Sequence, residues 1–110
     1  MRAHQSDGFK DFVLDQLGGL RDVTARSMFG GHGLYQQGIF FGIVHKGRLY
    51  FKVSPATLGT FQEHGMKPFQ PNKKQTLRTY YEVPVDVTED PEQLLAWANQ
   101  AIHEIQTQSR

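Results

Sequence analysis

The chain has 110 residues, 38% of them hydrophobic and 21% charged, with a net charge of +1 and no cysteine. That length suits a single modest core, and the composition excludes a disordered chain. The lack of cysteine excludes disulfides, thiolate catalysis and Cys-ligated zinc together. No apolar run reaches the roughly 18 residues that a bilayer crossing takes, and the polar start "MRAHQSDGFKDF" has no secretory apolar segment. A charge near zero exerts no global pull on nucleic acid, so such a role needs a local patch. The expectation is one domain over 1–110, cytoplasmic, with no membrane association.

In chain order, Ser6 or Asp7 can cap a first helix whose Phe9, Phe12, Val13 and Leu17 share a face and which Gly18-Gly19 ends. "VTARSMF", "GHGLYQ", "IFFGIV" and "RLYFKV" are rich in β-branched and aromatic residues and predict four strands. Gln37-Gly38 and Lys46-Gly47 fit tight hairpin turns. Ser54 as cap, Pro55 at the first helical position and Gly65 as stop predict a short helix with Leu58 and Phe61 inward. Strands "MKPF" and "TLRTYYEV" come next, separated by a polar loop "QPNKKQ". Asp90, Pro91 and Gln93 form a capping-box start for a last helix, in which Leu94, Trp97, Ala98, Ala101, Ile102 and Ile105 recur at intervals of three and four. The fold class is α+β: an antiparallel meander packed against N-terminal and C-terminal helices.

Two-residue hairpin loops dictate a register, because a hairpin's pairing is set by its turn. They set Tyr35 opposite Phe40, Gly33 opposite Gly42 and Gly31 opposite Val44. On the next hairpin, Val44 meets Leu49, Gly42 meets Phe51 and Phe40 meets Val53. One face then carries Tyr35, Phe40, Val44, Leu49, Phe51 and Val53, with Gly31, Gly33 and Gly42 forming a trough for bulky groups. The other carries His32, Leu34, Phe41, Ile43, Arg48, Tyr50 and Lys52. The glycines match neither GxGxxG nor GxxxxGK[ST] and open a strand rather than a helix, so they do not read as a phosphate loop.

Chemistry-bearing residues have plain structural roles in this pattern. His4, His32, His45, His64 and His103 show no HxxxH or HExxH spacing, so no metal site is expected. There is no GxSxG; Ser27, Ser54 and Thr57 fit a strand, a cap and a first turn. Asp7, Asp90 and Glu92 gather at helix starts, where dipole and cap account for them. Glu82, after Tyr80-Tyr81, is a lone general-base candidate without a partner. The expectation is no enzyme and no cofactor. Cations and aromatics on the second sheet face suit nucleic acid, with phosphates on the cations and bases on the rings. Arg48, Tyr50, Lys52, Lys73, Lys74 and Arg78 are the expected DNA or partner contacts, on a face equally suited to a homodimer. The alternative is a small-molecule or peptide-binding domain with a pocket between sheet and last helix near Tyr35, Tyr80 and Trp97.

"ARSMFGGHGLYQQGIFFGIVHKGRLYFKV", "YYEVP" and "LLAWANQAI" resemble the N-terminal domain of the TfoX/Sxy competence regulators. The resemblance rests on Arg26, Met28, Phe29, Gly30, Gly31, Gly33, Leu34, Tyr35 and Gly38, then Leu49, Tyr50, Phe51, Lys52, Tyr80, Tyr81, Pro84, Trp97 and Ala98. It implies an α+β fold like the small MmcQ/YjbR-type domains and a non-enzymatic role in activating DNA-uptake genes. It also implies partners in the transcription machinery or the cyclic-AMP receptor protein, with DNA a further candidate. Full-length regulators of that family carry a second, helical C-terminal domain, so a stand-alone copy of the N-terminal one is expected.

Overall fold

The computed structural model describes residues 5–28 and 30–108, with side chains from residue 8 onward. The expected side-chain cap at Ser6 or Asp7, together with His4 and Phe29, lies outside the described residues. Helix α1 (Gln5–Gln16) is followed by strands β1 (Val23–Met28), β2 (Gly31–Gln36), β3 (Ile39–His45) and β4 (Arg48–Lys52). Then come α2 (Leu58–Glu63), β5 (Pro68–Asn72), β6 (Gln75–Glu82), α3 (Val85–Thr88) and α4 (Pro91–Gln108). The strands form one antiparallel six-stranded sheet in the order β1-β2-β3-β4-β6-β5. The α+β class expected from the sequence is the one observed.

Local chemistry explains most element ends. Both residues of each hairpin turn have positive φ (Gln37 +51° and Gly38 +85°, Lys46 +51° and Gly47 +76°), the backbone twist that joins adjacent antiparallel strands without splaying them. At the start of α4, Asp90 Oδ1 accepts from the backbone N–H of Glu92 and Gln93, and the Gln93 amide donates back to Oδ2 at 2.9 Å. Three expectations need correcting. Helix α2 starts at Leu58, not beside Pro55, because Ser54 organises a turn first: its carbonyl accepts from the N–H of Thr57 and Leu58, and its hydroxyl from Ala56. The "QPNKKQ" segment is mostly strand, turning only at Lys73-Lys74, where Asn72 Oδ1 accepts from the Lys74 N–H. The single-turn helix α3 was not anticipated; it is too short to show a periodicity.

The main core lies between the sheet and the helices. Val13 and Leu17 of the N-terminal segment, Phe61 of α2, Val87 of α3 and Leu94, Ala98 and Ile102 of α4 meet Leu34, Phe41, Val44, Leu49, Phe51 and Tyr81 of the sheet. Each large side chain fully buried there contributes roughly 1.5–3 kcal/mol. A second, smaller cluster joins Ile43, Tyr50, Phe69 and Tyr80, with Phe40 and Leu77 against it.

The expected register holds only on one side of a bulge. Tyr35 does face Phe40, Gly42 faces Phe51 and Val44 faces Leu49. Between β2 and β3, however, the pairing shifts, so that Leu34 faces Gly42, Gly33 faces Ile43 and His32 faces Val44, leaving Phe41 as the extra residue on β3. Because side chains alternate with period two, one inserted residue exchanges the faces of the residues beyond it. Leu34 and Phe41 therefore enter the main core, and Tyr35, Phe40 and Gly33 lie on the other face, the reverse of the expectation for those five residues. Gly42 remains on the core side, where a Cβ would sit 3.1 Å from the Phe51 ring. At Gly33 it would meet Met28 and Phe40, and at Gly31 the backbone carbonyl of Val44. The trough thus survives only in part: Gly42 receives a core ring, while Gly31 permits a close strand approach.

Candidate functional site

On the sheet face away from the main core, cations and rings line up across strands. The Arg26 guanidinium lies over the Tyr35 ring at 5.0 Å, Tyr35 stacks on Phe40 at 5.0 Å, and Phe40 packs on Tyr80 at 5.3 Å. Lys52 Nζ closes the row 5.6 Å above Tyr80. Pairing places each member. Tyr35 and Phe40 are direct neighbours, as are Lys52 and Tyr80. Arg26 pairs with Gly33, so its guanidinium reaches Tyr35 diagonally across the strand pair. Each cation–ring contact contributes about 0.5–1 kcal/mol at such exposure.

The rings spend their faces on one another and on the two cations, so the row offers edges and positive charge to the outside, not open stacking platforms. Burial pushes the Tyr80 hydroxyl up to about 12, with Tyr35 adding to the effect. Burial and then the Glu82 carboxylate raise Tyr50, against the opposing pull of Arg48. Both phenols are neutral at physiological pH.

The six expected contact residues do not form one patch of equal members. Tyr50 is buried under Phe69, with ring centroids 4.7 Å apart, and presents no open face. Arg48 grips Glu82 with both carboxylate oxygens at 3.0 Å, which largely neutralises it. That pairing also supplies the partner that the Glu82 carboxylate lacked in the sequence reading. Lys52 stands at the end of the ring row. Lys73 and Lys74 are exposed at the β5–β6 turn, and Arg78 is exposed on β6; β4 pairs with β6 only from Tyr80 to Glu82, so the lysine turn lies beyond that pairing. The sequence reading did not count Arg26 and Phe40 among the contacts. Their signal was the row itself, which only a correct register between β1, β2 and β3 discloses.

Tyr35, Tyr80 and Trp97 do not share one pocket. The bulge at Phe41 and the Lys52–Tyr80 pairing put the two tyrosines on the face away from the helices, whereas Trp97 of α4 packs on Phe61 at 4.9 Å and His64 at 5.4 Å. A groove of about 240 Å³ does open beside Trp97, between α2 and α4, with Lys52 at its border. Among the described residues no three His, Asp or Glu side chains gather as a metal site. Nor is any helix among them long and apolar enough to cross a membrane.

The comparisons agree on one family. The model of the TfoX N-terminal domain matches residues 15–105. The chain is 33% identical over 102 residues to the DNA transformation protein TfoX1 of Aliivibrio fischeri, a match covering 91% of this chain and 47% of that protein. The chain therefore spans about half the length of the relative it matches. With the family model covering most of its length, the chain belongs to the TfoX N-terminal domain family.

Proposed function

We propose that this chain is a non-enzymatic module of DNA transformation that supports expression of DNA-uptake genes by contacting DNA phosphates through the cations of its outer sheet face. The observation that carries the reading is the row Arg26–Tyr35–Phe40–Tyr80–Lys52, which holds two cations on a rigid aromatic base across the sheet. Exposed Lys73, Lys74 and Arg78 extend the positive surface. Cations held this way need little side-chain ordering on binding. Since the ring faces are already occupied, recognition is of the backbone and tolerant of sequence. The DNA transformation protein to which the chain is similar supports the biological setting.

Salt-titrated binding to a labelled duplex, read by fluorescence anisotropy, tests this. Affinity should fall with a log–log slope near −0.9 per neutralised phosphate, and Arg26→Ala with Lys52→Ala together should flatten that slope by about 1.8. A folded sample that binds no duplex at low salt would remove DNA contact and leave a protein partner as the target of the same face.

A further inference from the structure

The β5–β6 hairpin is where the chain concentrates positive charge. Between Glu63 and Glu82 there is no Asp or Glu but there are four cations, Lys67, Lys73, Lys74 and Arg78, against a net charge of +1 over all 110 residues. All four are exposed, and among the described residues none is held by a carboxylate. The hairpin also stands clear of the rest of the sheet. Strand β4 ends at Lys52 and pairs with β6 only from Tyr80 to Glu82. Residues 75–78 therefore have β5 on one side and no strand on the other.

Its base is fixed and its end is shaped. Phe69 is fully buried, its ring 4.7 Å from Tyr50 and 5.1 Å from His45, and it belongs to the same apolar cluster as Tyr80 of the ring row. At the tip Asn72 pairs with Gln75, and Asn72 Oδ1 accepts from the Lys74 N–H at 2.8 Å, closing a tight turn with Lys73 and Lys74 at its apex. Pro68 and Pro71 each lock one backbone torsion of β5, so little ordering is left to binding.

Two strands about 4.8 Å apart, with side chains on both faces, are too broad for the minor groove of B-DNA, roughly 6 Å wide, and fit the major groove, roughly 12 Å wide. The exposed side chains suit that place. Lysine donates to the guanine edge, and the amides of Gln70 and Gln75 match the adenine edge. We infer that the β5–β6 hairpin enters the major groove of duplex DNA, with Lys73 and Lys74 against base edges and Arg78 on a flanking phosphate. This rests on the DNA reading and goes beyond it: the Arg26–Lys52 row grips the backbone, and the hairpin supplies the groove contact.

A duplex whose cytosines carry glucosylated 5-hydroxymethyl groups has its major groove filled while its phosphates and minor groove are unchanged. Anisotropy titration of this duplex and of its unmodified counterpart separates the two contacts. The native chain should bind the filled duplex about tenfold more weakly. Lys73→Gln with Lys74→Gln, both at an exposed turn, should bind the two duplexes alike while the far-UV spectrum stays native. Arg26→Ala with Lys52→Ala should weaken binding to both and keep the difference between them. Equal affinity of the native chain for the two duplexes overturns the inference and leaves the backbone reading standing. So does a difference that survives in the folded double-glutamine variant. A native chain that binds neither duplex overturns both.

Discussion

On the helix side of the sheet, Leu34, Phe41, Leu49 and Phe51 are sealed from water and meet aliphatic side chains of α1 and α4. On the other side, Tyr35 and Phe40 are only half-buried, and their ring faces are covered by each other, by Tyr80 and by two cations. One face is held by area removed from water; the other is sealed only around Ile43 and Phe69 and, along the row, is held by ring pairs and charge at a partly wet surface. The difference teaches where function can reside: the first face has no group to spare, and the second keeps its cations accessible.

Removing one large ring from each face is the strongest way to test that contrast. Phe51→Ala should cost about 3–5 kcal/mol, since it empties a fully enclosed site between Phe41 and Gly42. Phe40→Ala, which gives up two ring pairs at a half-exposed position, should cost about 1–2 kcal/mol. Urea unfolding of the two variants measures both, and equal losses would break the contrast.

Glycine positions sharpen it next. A Cβ at Gly31 would collide with the Val44 carbonyl, backbone that cannot swing aside, so Gly31→Ala should cost about 1–3 kcal/mol. At Gly33 the obstacle is chiefly the flexible end of Met28, 3.0 Å away, so Gly33→Ala should cost less than about 1 kcal/mol. The larger Gly33→Val should destabilise by overpacking. Thermal melts rank the three, and an unchanged melting temperature for Gly31→Ala would refute the close approach of β2 to β3.

Alkaline titration addresses the outer face alone. Tyr80 stays neutral up to about 12 when folded but ionises near 10.0 once unfolded. Protons are therefore held more tightly by the native chain over that interval. The associated stability is fully present below pH 10 and is lost as pH rises toward 12. Phenolate absorbance should show Tyr80 ionising well above pH 10 unless unfolding intervenes. Tyr80→Phe should lessen the alkaline loss.

The smallest effect is expected at the Arg48–Glu82 pair, whose arginine is largely exposed. Glu82→Gln should change stability by only about 0.5 kcal/mol. It should nonetheless tighten duplex binding by freeing the Arg48 charge; weaker binding would indicate that the pair acts as a unit.

Elements with strong local chemistry were readable from the chain alone. The Asp90–Pro91–Gln93 start of α4 and the two glycine hairpin turns depend on neighbours within four residues, and each appears where its residues predict. The candidate site was readable only in part. The sequence reads Lys52 as a contact and Tyr80 as a pocket wall, yet the two touch. Arg26 carries no contact signal in the sequence because its partner, Tyr35, sits on another strand. The pocket wall at Trp97 was identified, but its true neighbours are Phe61 and His64, whose approach depends on how α2 docks.

By itself the amino-acid order determined the kinds of elements, their sequence and the family motif, because turn geometry, capping and periodicity are short-range properties. Only the tertiary structure decided which face each ring occupies. Phe41 can be added as a bulge or paired in step with equal local comfort. The choice is made by the burial it yields, with Leu34 and Phe41 sealed under the helices and Tyr35 and Phe40 turned toward the cations.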